Sequence, residues 1–326
     1  MHSANIPVIH SIPSSQALIE NVLCNYQLTT PCSCLLLKRG LNDTYLVKTE
    51  KHKYILRIYR YGWRSKEEID FELDLLKFLH QRQAPIAYPI NKLSGDLTTA
   101  IATPEGTRYT VLFTYAPGEA VDKKLNSEQS RRLGEAVASI HETTNNFKSK
   151  FNRPALNDDY LLFRPINAIA ALFSHRYNAI QYLHEQAEQL INNLGRLSLS
   201  QKLPIYGVCV GDIHSGNTHF DRLNQPTLFD FDQCGYGWRA FDIGKFINTS
   251  IAWQIDRQII DAFLNGYQSK CKLSDIEIAA IPIFTKIAHI WVMGITVSVV
   301  GDVLPYSWFT DEWLDNKLDL FKSLPN

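Results

Sequence analysis

Three polar residues in the middle of the chain have the types and spacing that metal-dependent group transfer needs. Asp212 is followed five residues later by Asn217, and Asp230 comes thirteen residues after that, at the end of a short apolar run. Phosphoryl transfer from a nucleotide uses such a set. One carboxylate orients the attacking hydroxyl and accepts its proton, while an amide oxygen and a second carboxylate hold the magnesium ions. The sequence therefore favours Asp212 as the catalytic base, with Asn217 and Asp230 as Mg²⁺ ligands.

Each of these residues also has an ordinary structural explanation. An Asp beside glycine often forms a turn, and an Asn before a strand often caps it. The joint pattern is more specific, because the apolar stretches 218–220 and 227–229 flank a polar turn. Two strands joined by that turn form a hairpin with Asn217 and Asp230 at neighbouring ends. This hairpin predicts that the two metal ligands lie close together.

The segment 210–217, Val-Gly-Asp-Ile-His-Ser-Gly-Asn, resembles the catalytic loop of the aminoglycoside phosphotransferase, choline kinase and homoserine kinase superfamily. Segments 230–232 (Asp-Phe-Asp) and 241–243 (Phe-Asp-Ile) extend the resemblance, which covers nearly the whole chain. That family usually has His-Gly-Asp-hydrophobic-His-Pro-Gly-Asn, and here Val210 replaces the first His and Ser215 the Pro. The resemblance implies a protein-kinase-like fold. It also implies phosphoryl transfer from ATP, with GTP as an alternative donor, to a hydroxyl group of a small molecule.

The resemblance implies further roles outside the three central residues. His214 and Asp242 are expected to support the catalytic loop, and Arg57 takes the place of the strand lysine that grips the nucleotide phosphates. A charged side chain in a strand near the core needs a counter-charge. Glu72, on the helix that follows, is the expected partner of Arg57. Three other basic residues, Arg60, Arg64 and Lys66, predict a cluster on the surface.

The first third of the chain predicts a small antiparallel sheet with one main helix. The predicted strands cover 34–38, 44–49, 53–59, 98–103 and 107–114, and the helix covers 65–81. Ser65 and Glu68 have the spacing of a capping box at the start of that helix. The turn that contains Gly40 and Asn42 lies where the family places its loop over the phosphates. An ordinary hairpin turn explains these two residues equally well.

A break in the pattern after the last strand predicts the hinge between two lobes. Thr114, Tyr115 and Ala116 are expected to contact the nucleotide base through their backbone, as the resemblance implies. Beyond residue 126 the periodicity is helical, and His141 is interpreted as a structural histidine between helices. We therefore predict an α+β, two-lobe fold. Residues 1–115 form the nucleotide-binding lobe, and residues 116–326 form the mostly helical catalytic and acceptor-binding lobe.

Composition narrows the class of protein. The chain has 326 residues with 33 basic and 33 acidic side chains, so no global charge favours nucleic acid or an anionic membrane. The six cysteines form no C-x-x-C pair, and the first fourteen residues do not read as a signal peptide. No apolar run is expected to reach the length of a membrane span. We predict a cytoplasmic monomer or homodimer with reduced thiols.

The C-terminal region limits the charge of the acceptor. Residues 235–326 contain ten acidic and eight basic side chains, so they attract a polycation only weakly once salt screens them. Aromatic side chains suit an acceptor that packs against rings. Trp253, Trp291 and Asp302 are expected to line the acceptor pocket. We predict a hydroxyl acceptor with at most one or two positive charges, such as an amino alcohol, a modified sugar or a related metabolite.

Two other functions fit parts of the same sequence. Segment 54–60, Tyr-Ile-Leu-Arg-Ile-Tyr-Arg, together with the following helix, resembles protein serine/threonine kinases of the bacterial stress type. Val210, in place of the family histidine, would suit a pseudokinase that binds a nucleotide without turning it over. Because Asp212, Asn217 and Asp230 are all present, the small-molecule kinase remains the first hypothesis.

Overall fold

A five-stranded antiparallel sheet forms the N-terminal lobe. The structure, a computed structural model, describes residues 6–29, 31–300 and 308–325. The strands are β1 (Pro31–Arg39), β2 (Asp43–Thr49), β3 (Lys53–Ile58), β4 (Thr98–Thr103) and β5 (Gly106–Thr114). Their order is β1-β2-β3-β5-β4, so β3, which carries Arg57, lies at the centre. The predicted sheet is confirmed.

Two helices pack on this sheet because each has one apolar face. Helix α1 (Ser15–Asn21) buries Leu18 in the apolar cluster that also contains Val47 and Leu56 of the sheet. Helix α2 (Lys66–Gln81) begins at the predicted capping box, in which Glu68 N donates to Ser65 Oγ and Ser65 N donates to Glu68 Oε2. The buried residues of α2 belong to the large core that continues into the C-terminal lobe. Glu72 lies among these residues and is fully buried.

The C-terminal lobe is mostly helical. Its helices are α3 (Ser127–Thr143), α4 (Arg164–Leu172), α5 (Tyr177–Leu197), α6 (Ala240–Ala252), α7 (Arg257–Lys270), α8 (Asp275–Ile295) and α9 (Asp311–Ser323). Helices α3 and α7 cross with almost no side chain between them. A Cβ atom on Gly134 would collide with the carbonyl oxygen of Phe263, and one on Gly266 with that of Arg131. Only glycine permits this crossing.

Helix α8 corrects one expectation and contains a proline. It runs through Pro282, because burial of its apolar residues outweighs the local cost of about 3 kcal/mol. Together with the turn that follows, α8 is also long and apolar enough to span a membrane, contrary to the expected absence of such a run. Of its most apolar window, 61% is buried inside the protein. This burial is that of a core helix.

Two small sheets position the segments between the lobes. Strand β7 (Tyr206–Cys209) pairs with β10 (Gly235–Trp238), and β8 (Thr218–Phe220) pairs with both β6 (Glu119–Ala120) and β9 (Pro226–Leu228). All of these pairs are antiparallel. The two lobes also meet directly, because Ala87 N donates to Leu228 O. The loop from β7 to β8 therefore lies at the junction of the lobes.

Candidate active site

Residues 210–217, here called the catalytic loop, end where the predicted hairpin begins. Thr218 pairs with Leu228 in the β8–β9 ladder, and Phe229 N donates to Asn217 O at 3.0 Å. Asn217 and Asp230 therefore lie at adjacent strand ends, as predicted. Both line a cavity of about 500 Å³ between the lobes, which we call the cleft.

Asp212 is held by three donors around its carboxylate. Lys245 Nζ lies 2.7 Å from Oδ1, Asn217 Nδ2 donates to Oδ2 at 3.2 Å, and His214 Nε2 lies 3.5 Å from Oδ2. The Asp212 side chain keeps 23% of its surface exposed. Burial acts to raise the pKa of Asp212, but the charge of Lys245 and the nearby His214 ring outweigh burial and hold this pKa below its usual value. Asp212 is therefore ionised at neutral pH.

Lys245 is the main residue that the sequence argument missed. It lies on α6, three residues after Asp242, and is buried. A signal was present in the sequence, because residues three apart share a helix face. A helix that supports the catalytic loop at Asp242 must present Lys245 on nearly the same side.

Asp242 anchors the start of the catalytic loop, as predicted. Its carboxylate accepts hydrogen bonds from Val210 N at 2.7 Å and Gly211 N at 2.8 Å. It also accepts one from His141 Nε2 at 2.9 Å, while Tyr267 O–H lies 2.9 Å from His141 Nδ1. Burial lowers the pKa of His141, so its ring is neutral and donates through Nε2. His141 is thus the structural histidine that the sequence predicts.

Val210 contributes its backbone to this anchor and its side chain to the core. The side chain is buried in the apolar cluster that joins the helices of the C-terminal lobe. The anchor therefore forms without a histidine at this position. Asp242 binds the backbone N–H group, which every residue except proline provides.

Arg57 joins the N-terminal lobe to the cleft. Its Nη1 atom donates to Glu72 Oε1 at 2.8 Å, and its Nη2 atom donates to Asp230 Oδ1 at 2.9 Å. Tyr59 O–H donates to the second oxygen of Glu72 at 2.8 Å. The predicted pairing of Arg57 with Glu72 is thus present. Asp230 keeps 40% of its side chain exposed and faces the same cavity.

In the turn between β1 and β2, the structure does not support the predicted contact of Asn42 with the nucleotide. Asn42 is only 7% exposed, and its Oδ1 atom accepts a hydrogen bond from Arg60 N at 3.2 Å. Its amide therefore shapes the turn and does not point to a ligand. Gly40 lies in the same turn, and its role stays a prediction. The cleft residues from this hairpin are Leu37, Lys38 and Thr44.

The hinge residues line the cleft beside an apolar wall. Thr114, Tyr115 and Ala116 all contribute to the cavity, together with Ile55, Leu76, Ala87, Phe113 and Phe231. A flat base fits between such apolar surfaces. His219, which the sequence argument did not single out, contacts Ala116 O through Nδ1 at 2.7 Å and so fixes the hinge to β8.

The predicted basic surface cluster is wrong for two of its three members. Arg60 and Arg64 are buried. Arg64 donates to Asp232 Oδ1 at 3.3 Å and to Asp232 O at 2.7 Å, and Trp63 Nε1 donates to Asp232 Oδ2 at 2.8 Å. Asp232 is therefore a structural carboxylate that ties segment 230–232 to the N-terminal lobe. Only Lys66, which pairs with Asp70, lies on the surface as expected.

A second, more open cavity of about 1070 Å³ adjoins the cleft. Asp122 and Ala120 line both, and Trp253 lines the open one, so its role at the acceptor stays a prediction. The Trp253 ring meets the His214 ring edge-on, with centroids 5.3 Å apart. The prediction that Trp291 lines the acceptor pocket is wrong, because Trp291 is 2% exposed and packs against Phe241 in the core. Asp302 lies outside the described residues.

A two-lobed fold with this loop and cleft defines a phosphotransferase of the protein-kinase-like class. The chain belongs to the phosphotransferase enzyme family, whose model matches residues 36–277. It is 38% identical to an uncharacterised protein of Synechocystis, over 98% of this chain and 87% of that one. It is 25% identical to amicoumacin kinase of Bacillus subtilis, over 78% of this chain and 76% of that one.

Solved structures share this fold. One of them is an amicoumacin kinase in complex with AMP-PNP, Ca²⁺ and Ami. The TM-score is 0.76 at 22% identity, and the match covers 94% of this chain and 92% of that one.

Proposed function

We propose that this protein is an ATP- and Mg²⁺-dependent kinase that phosphorylates a hydroxyl group of a small molecule. The proposal rests on Asn217 and Asp230, which line one cleft, and on Asp212, whose carboxylate accepts a hydrogen bond from Asn217. Arg57 and the hinge line the same cavity. A nucleotide in the cleft would have its base against the hinge and its phosphates near Arg57. The transferred group would then lie near Asp212.

The donor set of the cleft suits a hard divalent cation. Asn217 donates through Nδ2 to Asp212, so its Oδ1 atom is the one left to bind a cation. Asp230 receives Arg57 on Oδ1, so its partly exposed carboxylate retains Oδ2. Amide and carboxylate oxygens are ligands that Mg²⁺ accepts alongside phosphate oxygens. When bound, the ion would neutralise charge on the phosphates.

Asp212 acts on the acceptor in this proposal. Its carboxylate would accept a hydrogen bond from the acceptor hydroxyl and orient the oxygen towards the γ-phosphorus. Because Lys245 and His214 keep Asp212 ionised, it is a weak base in the ground state. The proton is therefore expected to leave the hydroxyl late, after bond formation to phosphorus has begun.

The lining of the open cavity supports the proposed acceptor class. Trp253 lines this cavity, and so do three carboxylates, Glu119, Asp122 and Asp221. Lys123, Lys124 and Arg222 also line it, so the cavity as a whole has no strong negative charge. A ring with a few carboxylates suits an acceptor with one or two positive charges. We therefore propose an amino alcohol, a modified sugar or a related hydroxylated metabolite.

A phosphorylation screen tests this function. The purified protein is incubated with Mg·ATP or Mg·GTP and a panel of amino alcohols, sugars, a kanamycin-type aminoglycoside and a protein extract, with Asp212→Asn as the blank. Transfer to a neutral or weakly cationic alcohol supports the proposal. Efficient transfer to the polycation at micromolar KM overturns the acceptor class. Transfer to proteins alone selects the stress-type protein kinase, and nucleotide binding without transfer to anything selects the pseudokinase.

A further inference from the structure

Lys245 is a buried cation that contacts the catalytic carboxylate directly. Its side chain is 3% exposed, and its Nζ atom lies 2.7 Å from Asp212 Oδ1. The same nitrogen donates to Thr249 Oγ1 at 2.8 Å. A lysine out of water is costly unless its charge is paired and its protons are bonded. Here the charge is paired with Asp212 and two of the three N–H groups have partners, so the ammonium group is held in one place.

Helix α6 holds the catalytic loop in two ways. Asp242 binds the backbone N–H groups of Val210 and Gly211, and Lys245 binds the side chain of the next residue, Asp212. Lys245 lies three positions after Asp242 on α6, and Thr249 lies four positions after Lys245. The three residues therefore share one face of the helix. A single rigid element therefore fixes both the backbone and the reactive group of the loop.

The contact decides which oxygen of Asp212 remains available. Oδ1 is taken by the short contact to Lys245. Among the residues that the structure describes, Oδ2 has only the 3.2 Å bond from Asn217 and the 3.5 Å approach of His214. A carboxylate oxygen accepts more than one hydrogen bond, so Oδ2 can receive the acceptor hydroxyl as well.

We propose that Lys245 is a positioning residue for phosphoryl transfer: it pins Asp212 Oδ1 to helix α6, so that Oδ2 faces the acceptor hydroxyl. This proposal rests on the proposed function. A misplacement of a reacting group by about 1 Å can cost about a hundredfold in rate. Loss of the Lys245 contact therefore lowers turnover and leaves nucleotide affinity nearly unchanged, because Lys245 does not line the cleft.

Three variants test the proposal. Lys245→Met keeps the length of the side chain and removes its charge, and Lys245→Arg keeps the charge and its donors. Lys317→Met is the control, because Lys317 is a half-buried lysine of α9 and not of the cleft. Lys245→Met is expected to lower kcat by about ten- to a hundredfold, with the nucleotide KM within about twofold of the wild type. Lys245→Arg is expected to restore at least part of the loss, and the control is expected to retain kcat.

The double variant adds a second criterion. If Lys245 acts through Asp212, then Lys245→Met adds little to the loss caused by Asp212→Asn, since residues that work as a unit are not additive. A full multiplicative loss would contradict the proposal. So would equal damage to kcat and nucleotide KM that Lys245→Arg does not relieve, which would indicate a merely structural lysine.

A crystal structure of Lys245→Met tests the positioning of Asp212 independently of any kinetic assay. The Asp212 carboxylate is expected to rotate and to lose its 3.2 Å contact with Asn217 Nδ2. An unchanged carboxylate overturns the proposal. If the wild-type protein phosphorylates nothing, the proposed function fails, while the orientation of Asp212 still decides the role of Lys245.

Discussion

Arg57 Nη2 lies 2.9 Å from Asp230 Oδ1, so the central strand of the N-terminal lobe is bonded directly to a proposed metal ligand. Because the other nitrogen of Arg57 binds Glu72, one planar guanidinium joins helix α2 to the cleft. Any cation that binds Asp230 shares this carboxylate with Arg57. The position of α2 and the metal site are therefore coupled.

Arg57→Lys tests this coupling. A single ammonium group cannot reproduce two bonds in a fixed fork, so the variant is expected to raise the nucleotide KM about tenfold. The acceptor KM should change much less. Steady-state kinetics with each substrate varied in turn measures both, with the highly exposed Arg257→Lys as the control. An unchanged nucleotide KM would show that Arg57 does not contact the nucleotide phosphates. Arg57→Ala is the poorer test, because it leaves the buried charge of Glu72 without a partner and so costs about 3–5 kcal/mol of stability.

Asp212→Asn is expected to lower turnover by roughly 10²–10⁴-fold, because the amide neither accepts the proton nor keeps the charge. Binding of Mg·nucleotide, measured by calorimetry, should stay near the wild-type value, since Asp212 does not line the cleft cavity. Asp256→Asn, at an exposed position, is the matched control. Near-native turnover of the Asp212 variant on the true acceptor would show that another group orients the hydroxyl.

Trp253→Leu is expected to raise the acceptor KM about three- to thirtyfold. The ring of Trp253 lines the open cavity, and its contact with a cationic acceptor contributes about 0.5–2 kcal/mol. The nucleotide KM should stay constant. Tyr177→Leu, at an exposed aromatic residue outside both cavities, serves as the control. A fall in kcat alone would mean that Trp253 acts only through its edge contact with His214.

Stability is expected to fall as the pH drops from about 6.5 to about 4, partly because of His289. Burial lowers the pKa of His289 from its usual 6.5 to about 4. The unfolded chain therefore binds this proton more tightly than the folded one, and protonation favours unfolding across that interval. The contribution is on the order of 3 kcal/mol.

Thermal unfolding between pH 4 and 8 measures the effect. His289→Gln keeps a donor for Lys317 O and an acceptor for Asn248 Nδ2 without titrating, so its stability should change less with pH. The exposed His52→Gln is the control. A pH profile that is the same for His289→Gln and the wild type would assign the acid sensitivity to other groups.

Contacts within one continuous segment of the chain could be predicted from the sequence. Contacts between segments that are distant in sequence could not. Asp212, Asn217 and Asp230 could be found because a loop and its hairpin place them together without reference to the rest of the fold. Arg57 and Glu72 could be paired because a central strand charge requires a partner. The contacts of His219 with Ala116 and of Arg64 with Asp232 bring together residues more than 100 positions apart, and neither residue looks unusual in its local sequence.

Trp291 was misplaced for a related reason. A tryptophan on a predicted helix does not reveal which neighbour it faces, and α8 is buried on most sides. The prediction for Asn42 was wrong because the Gly-x-Asn pattern also occurs in turns whose Asn side chain accepts a hydrogen bond from backbone in the same lobe, here from Arg60 N. Both errors concern the direction of a side chain, which periodicity alone does not determine.

The glycine crossing of α3 and α7 has a consequence for how this protein tolerates mutation. Helix α3 carries His141 and α7 carries Tyr267, and these two side chains connect the crossing to Asp242. Because backbone touches backbone at Gly134 and Gly266, no side chain can repack to absorb a small change there. A methyl group added at either glycine would push the helices apart and pull the hydrogen-bond chain away from the catalytic loop. In a library of random substitutions, folded but inactive variants should therefore be enriched at these two distant glycines as well as in the cleft.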